Sequence, residues 1–166
     1  MAAAVDGRFA GDVGAVVKVV SIRPDNRRRA LPTLSAAVLC FDRDTGEVAA
    51  LIDGRTLTAL RTGAASGVAT DLCAAREANV LALVGTGAQA RDQLRAVAAV
   101  RPITTIRIAA SSYESARRTT EELVSLEAWA ADLELLPLTS PAEAVAGADI
   151  VCSATTSDSH SFLSRR

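Results

Sequence analysis

The sequence predicts an α/β protein in which a segment of paired strands and a linking helix precede a parallel sheet of about four strands. Two observations lead to this prediction. From residue 79 onward, apolar runs of strand length alternate with segments of helical periodicity, which is typical of a parallel sheet with right-handed crossovers. Between residues 14 and 52, apolar runs follow one another with only turn residues between them, as in paired strands.

The first part begins with the β-branched run AVVKVVSI, which ends at a turn cluster, Arg23 to Asn26. The runs LSAAVLCF and EVAALI flank a short loop, and we predict a hairpin in which Gly46 supplies a positive φ. From Leu57 to about Ala75 the apolar spacing becomes helical. We expect this helix to join the two parts. Its small residues from Gly63 to Gly67 would let another backbone approach closely.

The second part contains four predicted strands, NVLALVG, TTIRIAAS, LELLPL and DIVCSATT. Helices are predicted between them at residues 89–100 and 115–131. A further helix should begin after Ser140, with Pro141 at its first position and Glu143 at its third, because this is the pattern of a capping box.

The composition excludes several classes of protein. Apolar residues make up 49% of the 166-residue chain, so it can bury a core, and a net charge of −1 argues against nucleic-acid or membrane-surface binding. Three distant cysteines fit a reducing cytosol better than a disulfide framework, and their spacing offers no metal site. The sequence contains one histidine, His160, so it offers little support for a catalytic triad that uses histidine. The sequence has no signal-peptide pattern and no apolar run of membrane-spanning length, so we expect a soluble, cytoplasmic protein.

The segment Gly85-Thr86-Gly87-Ala88-Gln89-Ala90 matches the pattern G-x-G-x-x-A between a predicted strand and a predicted helix. The first glycine permits a tight turn, the second lets the backbone approach a pyrophosphate, and the alanine lets the helix pack against the strand. The free N–H groups at the start of the helix would face the anion. This predicts a Rossmann-like dinucleotide site; the alternative is a structural turn in a flavodoxin-like domain.

The second strand of this sheet ends without the acidic residue that would bind the adenine-ribose hydroxyls. Ser111 and Ser112 stand there instead, with Arg117 and Arg118 one turn later. Two hydroxyls with nearby arginines suit a 2′-phosphate, which favours NADP over NAD. The alternative is that both serines cap the following helix.

Two cations lie in otherwise apolar stretches. Lys18 lies between two valine pairs, where an ammonium must reach water, a carboxylate or a ligand. Arg61 is the cation of a small-residue helical segment. From composition, an edge-strand lysine facing solvent and a surface arginine are the simpler interpretations.

Four segments occur together and in order: KVVSIRPDN, TGEVAALIDGRTLTALRTGAASGVAT, LALVGTGAQAR and AVAGADIVCSATTS. The set resembles the ornithine cyclodeaminase/mu-crystallin family over roughly residues 16–157. The resemblance implies part of a substrate-binding and dimerisation domain with its linking helix at residues 1–76, and an NAD(P)-binding Rossmann-like domain, incomplete at its carboxyl end, at residues 77–166. It further implies a homodimer and hydride transfer on a small amino-acid or imine substrate, as in cyclodeaminases, alanine dehydrogenases and ketimine reductases.

The resemblance also implies roles for individual residues. Lys18 and Arg61 would bind the substrate carboxylate. The cofactor-binding positions would be Thr33, Arg61, Gly85, Gly87, Ala88, Gln89, Ser111, Ser112 and Thr155.

Several features depart from the family pattern. The chain is about half the usual family length, and the parts that would carry another substrate-binding arginine, the nicotinamide-facing half of the cofactor site and the catalytic aspartate have no counterpart. No aspartate of this chain can be assigned the catalytic role, because Asp149 begins a predicted strand and Asp158 lies in a divergent tail. His160 matches nothing in the family. We therefore expect a fragment, and whether it is itself an enzyme stays open. The alternative is a non-catalytic nucleotide-binding remnant or interaction module.

Overall fold

The computed structural model describes residues 14–29 and 31–155. In chain order, its strands are β1 (Val16–Ile22), β2 (Leu34–Phe41), β3 (Val48–Asp53), β4 (Val80–Val84), β5 (Thr105–Ala109), β6 (Glu134–Leu138) and β7 (Ile150–Ser153). The helices are α1 (Gly54–Cys73), α2 (Ala90–Ala98), α3 (Tyr113–Leu126) and α4 (Pro141–Val145), with 3-10 turns at Pro24–Arg29 and Ala128–Ala130. The chain divides into two compact units inside α1, one up to Thr58 and one from Ala59. No helix in the described ranges combines the length and hydropathy needed to cross a bilayer.

The first unit is an antiparallel sheet in the order β1-β2-β3. The predicted hairpin between β2 and β3 is confirmed: the Asp42 carboxylate accepts the amide of Thr45 at 2.8 Å, and Gly46 has a φ of +73°. Val38, in the central strand, is 3% exposed and is paired with Lys18 on one side and Ile52 on the other. Because directly paired residues share a face of a sheet, Lys18 lies on the same face as this buried valine.

The second unit is a parallel sheet in the order β6-β5-β4-β7, so the predicted four-stranded sheet is confirmed. Helices cover both of its faces, which explains why β4 is apolar at every position. On one face, α2 and α3 contribute to a core whose largest fully buried side chains are Leu81, Leu83, Leu94, Val97, Ile106, Ile108 and Leu123. On the other face, Ala144 of α4 packs against Ala82 and Ala109.

Two helices begin earlier than the sequence predicts. The helix predicted from Leu57 begins at Gly54, because the Asp53 carboxylate accepts the amide of Thr56 at 2.9 Å and caps the helix three residues earlier. The helix predicted for residues 115–131 begins at Tyr113 and ends at Leu126.

The segment after α3 turns inward around a buried carboxylate. Glu127 is 6% exposed and its carboxylate accepts hydrogen bonds from the side chains of Arg95, at 3.2 Å to Nε, and Trp129, at 2.8 Å. Glu127 itself has an extended backbone, with a φ of −128° and a ψ of 99°, so α3 ends at Leu126 and does not continue to residue 131.

The helices α1 and α2 approach each other closely, as the small residues of α1 predicted. A Cβ on Gly63 would overlap the backbone carbonyl of Asp92, and a Cβ on Gly67 would lie 3.1 Å from the Cβ of Ala96. Glycine at these two positions therefore sets the distance between the helices.

The carboxyl end of α1 is held by Arg101, which is 6% exposed. Its guanidinium donates to the backbone carbonyls of Thr70, Asp71, Ala74 and Ala75 at 2.8–3.0 Å. These carbonyls belong to the last turn of the helix and the residues after it, where helices leave carbonyls without intrahelical partners. The Thr70 and Ala75 carbonyls also accept the amides of Ala74 and Ala78, so the guanidinium adds to the backbone hydrogen bonds at this helix end.

Candidate dinucleotide site

The candidate site lies at the carboxyl end of β4, where the strand order reverses. The crossover through α2 leads from β4 to β5 on one side, whereas β7 pairs with β4 on the other side. In open α/β sheets, ligands bind in the crevice at such a reversal, outside the carboxyl ends of the strands. The segments that follow β4, β5 and β7 carry the glycine turn, Ser111 and Ser112, and Thr155 respectively, so the fold brings these predicted residues to one edge of the sheet.

The glycine turn packs tightly against the segment that follows β7. Gly85 has a φ of +91°, and a Cβ added there would lie 2.7 Å from the carbonyl of Ala154 and 2.8 Å from the Cβ of Thr155. The amide of Gly87 donates to the Ala154 carbonyl at 3.2 Å, and a Cβ on Gly87 would lie 2.7 Å from that oxygen. Both glycines are therefore required by contacts within the protein, whether or not a ligand binds.

The start of α2 has the features of an anion site. Gln89 stands at the N-cap, but its side chain makes no capping hydrogen bond. Within the described ranges, the amides of Ala88 and Gln89 have no protein acceptor, and Ala88 is exposed. Ala90 is 3% exposed and packs in the core, as expected for the small residue of the motif. The uncapped N–H groups and the helix dipole favour a negatively charged group at this position.

The other helices that begin at this edge are capped by serine. The Ser112 hydroxyl accepts the amide of Ser115 at 3.2 Å, and Ser140 does the same for Glu143 at 3.2 Å. The predicted N-cap at Ser140 is thus confirmed. The capping alternative holds for Ser112, whereas Ser111 is exposed and makes no such bond.

Arg117 and Arg118 form ion pairs with glutamates of their own helix, α3. The Arg117 guanidinium binds Glu114, with Nη2–Oε1 at 3.0 Å, and also binds Glu121. The hydrogen bonds and charge of Arg117 hold the pKa of the Glu114 carboxyl below its usual value. Arg118 lies 3.9 Å from Glu122. All five side chains are exposed to solvent, and exposed ion pairs of this type are weak.

The structure describes the predicted residues of the first unit as follows. Lys18 is an exposed residue of edge strand β1, and its ammonium donates to the Thr58 hydroxyl at 2.6 Å. That hydroxyl in turn donates to the Gly54 carbonyl at 2.6 Å, so Lys18 is oriented by the first turn of α1. Thr33 is half-buried just before β2, and its carbonyl accepts the amide of Arg23 at 2.7 Å.

In the second unit, Arg61 is an exposed residue of α1. Its side chain has no hydrogen-bond or ion-pair partner in the part of the chain that the structure describes.

Asp149 lies at the opposite edge of the sheet from the glycine turn. Its carboxylate accepts the amides of Asn79 at 3.0 Å and Val80 at 2.9 Å, and these hydrogen bonds lower its pKa. Asp158 and His160 lie outside the described residues.

Nothing in the sequence pattern pairs Thr86 with Ser115, which are 29 residues apart. Their hydroxyl oxygens lie 3.0 Å apart and join the glycine turn to the first turn of α3. The sequence shows only that Thr86, which carries a hydroxyl group, lies between Gly85 and Gly87.

Three comparisons relate the chain to known proteins. The L-lysine cyclodeaminase of Streptomyces rapamycinicus is 40% identical over 148 residues, which cover 88% of this chain and 41% of that protein. The structure of Thermococcus litoralis Delta(1)-pyrroline-2-carboxylate reductase with NADH and L-proline has a TM-score of 0.79 and 38% identity, covering 86% of this chain and 43% of that one. The structure of iminosuccinate reductase of Paracoccus denitrificans with NAD+ has a TM-score of 0.73 and 31% identity, covering 89% of this chain and 44% of that one.

The chain thus spans less than half the length of these relatives. Its four-stranded parallel sheet is the Rossmann-like sheet of these NAD-binding proteins. The model of the ornithine cyclodeaminase/mu-crystallin family matches residues 4–164. The chain therefore belongs to the ornithine cyclodeaminase/mu-crystallin family.

Proposed function

We propose that the chain is part of an NAD(P)-dependent oxidoreductase or deaminase that acts on an amino acid or its imine. Residues 1–76 would supply part of the substrate-binding and dimerisation domain, and residues 77–166 the nucleotide-binding domain. The observation that carries the proposal is the uncapped amino terminus of α2 behind a glycine turn, at the point where the strand order reverses. There, Ala88 and Gln89 would donate their amides to the pyrophosphate.

When bound, the dinucleotide would supply a nicotinamide ring that exchanges hydride with the carbon bearing nitrogen. Lys18 and Arg61 would bind the substrate carboxylate. Two features support this role: the Lys18 ammonium is exposed and oriented by Thr58, and Arg61 is exposed without a partner in the described ranges. A carboxylate shared by two cations forms charge-assisted hydrogen bonds, which are stronger than neutral ones. Thr33 and Thr155 would lie against the cofactor.

For the nucleotide, the proposed preference is NADP. The exposed Ser111 hydroxyl at the end of β5 supports it, since no carboxylate stands there to repel a 2′-phosphate. Arg117 is paired with Glu114 and Glu121, but the pairs are exposed, so a phosphate with two negative charges can compete for the guanidinium.

The proposal includes a cytoplasmic homodimer formed through the first unit. Strand pairing places Val19 and Leu51 on the sheet face opposite Val38, and both are exposed. Apolar side chains exposed together on one face are typical of a protein interface. The described cysteines, Cys40, Cys73 and Cys152, are free thiols, which suits a reducing compartment. Light scattering should give the mass of a dimer for the 166-residue chain, and Leu51→Asp should reduce it to that of a monomer.

The test of nucleotide binding is calorimetric titration of the 166-residue chain with NADPH and NADH. Ala88→Glu places a carboxylate at the uncapped helix start. There, the carboxylate interacts favourably with the helix dipole but repels a pyrophosphate. We expect the wild type and the neutral control Ala88→Gln to bind, and Ala88→Glu to lose at least about tenfold in affinity while remaining as stable as the wild type.

If Ala88→Glu binds as tightly as Ala88→Gln, the pyrophosphate is not at α2. A folded wild type that binds neither nucleotide would contradict the proposal. It would show that the contacts of Gly85 and Gly87 with Ala154 fully explain the glycine turn.

A further inference from the structure

The glycine turn and the start of α3 are joined by a direct hydrogen bond between side chains. The Thr86 and Ser115 hydroxyl oxygens are 3.0 Å apart, and both residues are half-buried. Thr86 belongs to the turn that would hold the pyrophosphate. Ser115 belongs to the first turn of α3, whose N-cap, Ser112, directly follows the proposed ribose-binding residue Ser111.

Each partner is held in place independently of this bond. On one side of Thr86, the amide of Gly85 donates to the Ala109 carbonyl at 2.8 Å; on the other, Gly87 is held by Ala154. Ser115 donates its amide to the Ser112 hydroxyl, and its carbonyl accepts the Thr119 hydroxyl at 3.0 Å. The two segments are therefore anchored to the sheet separately, and the bond adds a fixed spacing between them.

We propose that Thr86 and Ser115 are positioning residues, whose hydrogen bond sets the spacing between the pyrophosphate turn and the ribose-binding end of β5. The inference rests on the proposed function. A dinucleotide touches both segments at once, so its affinity includes any cost of bringing them into register. A preformed spacing removes that cost. A ligand that touches only one segment gains nothing from the spacing. The bond should therefore matter for ligands that span both segments and not for ligands of the turn.

The experiment compares two kinds of ligand on the 166-residue chain. NADPH and NADH span both segments and are titrated calorimetrically, whereas inorganic pyrophosphate binds at the turn and is followed by nuclear magnetic resonance. The variants are Thr86→Val, Ser115→Ala and the double variant. Ser115→Thr serves as the control that retains a hydroxyl. Thermal unfolding of each variant establishes that it is folded, and either single variant tests the inference if the other does not fold.

We expect each single variant to lose about three- to tenfold in dinucleotide affinity, the range of one neutral hydrogen bond. The double variant should lose no more than a single one, because both changes remove the same bond. Ser115→Thr should bind like the wild type, and pyrophosphate affinity should be the same in every variant.

The inference is overturned if the two losses add in the double variant, or if dinucleotide affinity does not change. It is also overturned if pyrophosphate affinity falls as much as dinucleotide affinity, because the bond would then only support the turn. These results leave the proposed function intact. A folded wild type that binds no dinucleotide overturns both, since spacing within a site requires the site.

Discussion

The Ala154 carbonyl packs directly against Gly87. Its oxygen accepts the Gly87 amide at 3.2 Å and leaves no room for a Cβ on Gly87, which would lie 2.7 Å from that oxygen. This contact joins the turn after β4 to the segment after β7. The glycine motif therefore has a structural function in the folded chain as well as the proposed binding function, and substitutions there must be interpreted with both in mind.

For Gly87→Ala we expect a loss of about 1–3 kcal/mol in the free energy of unfolding, the usual cost of forcing a methyl group into a packed site. Urea unfolding followed by circular dichroism measures it. Ala88→Gln, one residue away at an exposed position, should leave the free energy of unfolding within about 0.5 kcal/mol of the wild type. Equal stability of Gly87→Ala and wild type would mean that the Ala154 segment does not pack against the turn in solution.

Substitutions of Ser111 and Ser112, the two serines that follow β5, should have different effects on stability and on nucleotide affinity. Ser112→Ala removes the N-cap of α3 and should cost about 1 kcal/mol of stability. Ser111→Ala, at an exposed position without a capping role, should leave stability unchanged and weaken NADPH binding more than NADH binding. Denaturant unfolding and calorimetry on both variants test this division. If Ser111→Ala weakens both nucleotides equally, Ser111 does not contact a 2′-phosphate.

Stability should fall in acid partly through Glu127. Hydrogen bonding from Arg95, then from Trp129, together with the charges of Arg95 and Arg91, lowers its pKa, whereas burial opposes the shift. Because the folded pKa is below the unfolded value of about 4.3, the stabilisation is complete above that pH and is lost as the pH falls through the folded pKa.

Urea unfolding between about pH 2 and 6 should therefore show a shallower pH dependence for Glu127→Gln than for the wild type. This variant should also lose about 1–3 kcal/mol at neutral pH, since its charged hydrogen bonds are weakened. Glu143→Gln, at an exposed position on α4, is the matched control and should follow the wild-type curve. A Glu127→Gln curve parallel to that of the wild type would contradict the assignment.

Arg101→Lys should destabilise the chain by about 3 kcal/mol, because one ammonium cannot replace a planar guanidinium that reaches four carbonyls. Hydrogen exchange should show the effect first in the last turn of α1. Arg118→Lys keeps an exposed charge and is the control, with stability close to wild type. Equal exchange rates at Thr70 to Ala74 in both variants would show that Arg101 does not hold this helix end.

The strands were predictable from sequence because each is a mainly apolar run bounded by turn residues, and the cap at Ser140 because its signal is local. The starts of α1 and α3 were missed for a physical reason: Asp53 and Ser112 cap the helices earlier than the apolar periodicity begins. Contacts between distant residues left no sequence signal that pairs them. They include Ala154 with Gly87, Thr86 with Ser115, and Arg101 with the end of α1.

Asp149 binds the amides that begin β4, at the edge of the sheet farthest from the glycine turn. The register of β4 and β7 is therefore fixed at the amino ends of the strands by Asp149, and the Gly87–Ala154 contact joins the segments at their carboxyl ends, where the ligand would bind. Substitutions at exposed positions of the ligand edge that make no such contact, such as Ser111, should alter the proposed nucleotide preference without moving one strand against its neighbour. Such a division of labour would let a sheet of this kind change its proposed cofactor preference while it keeps its fold.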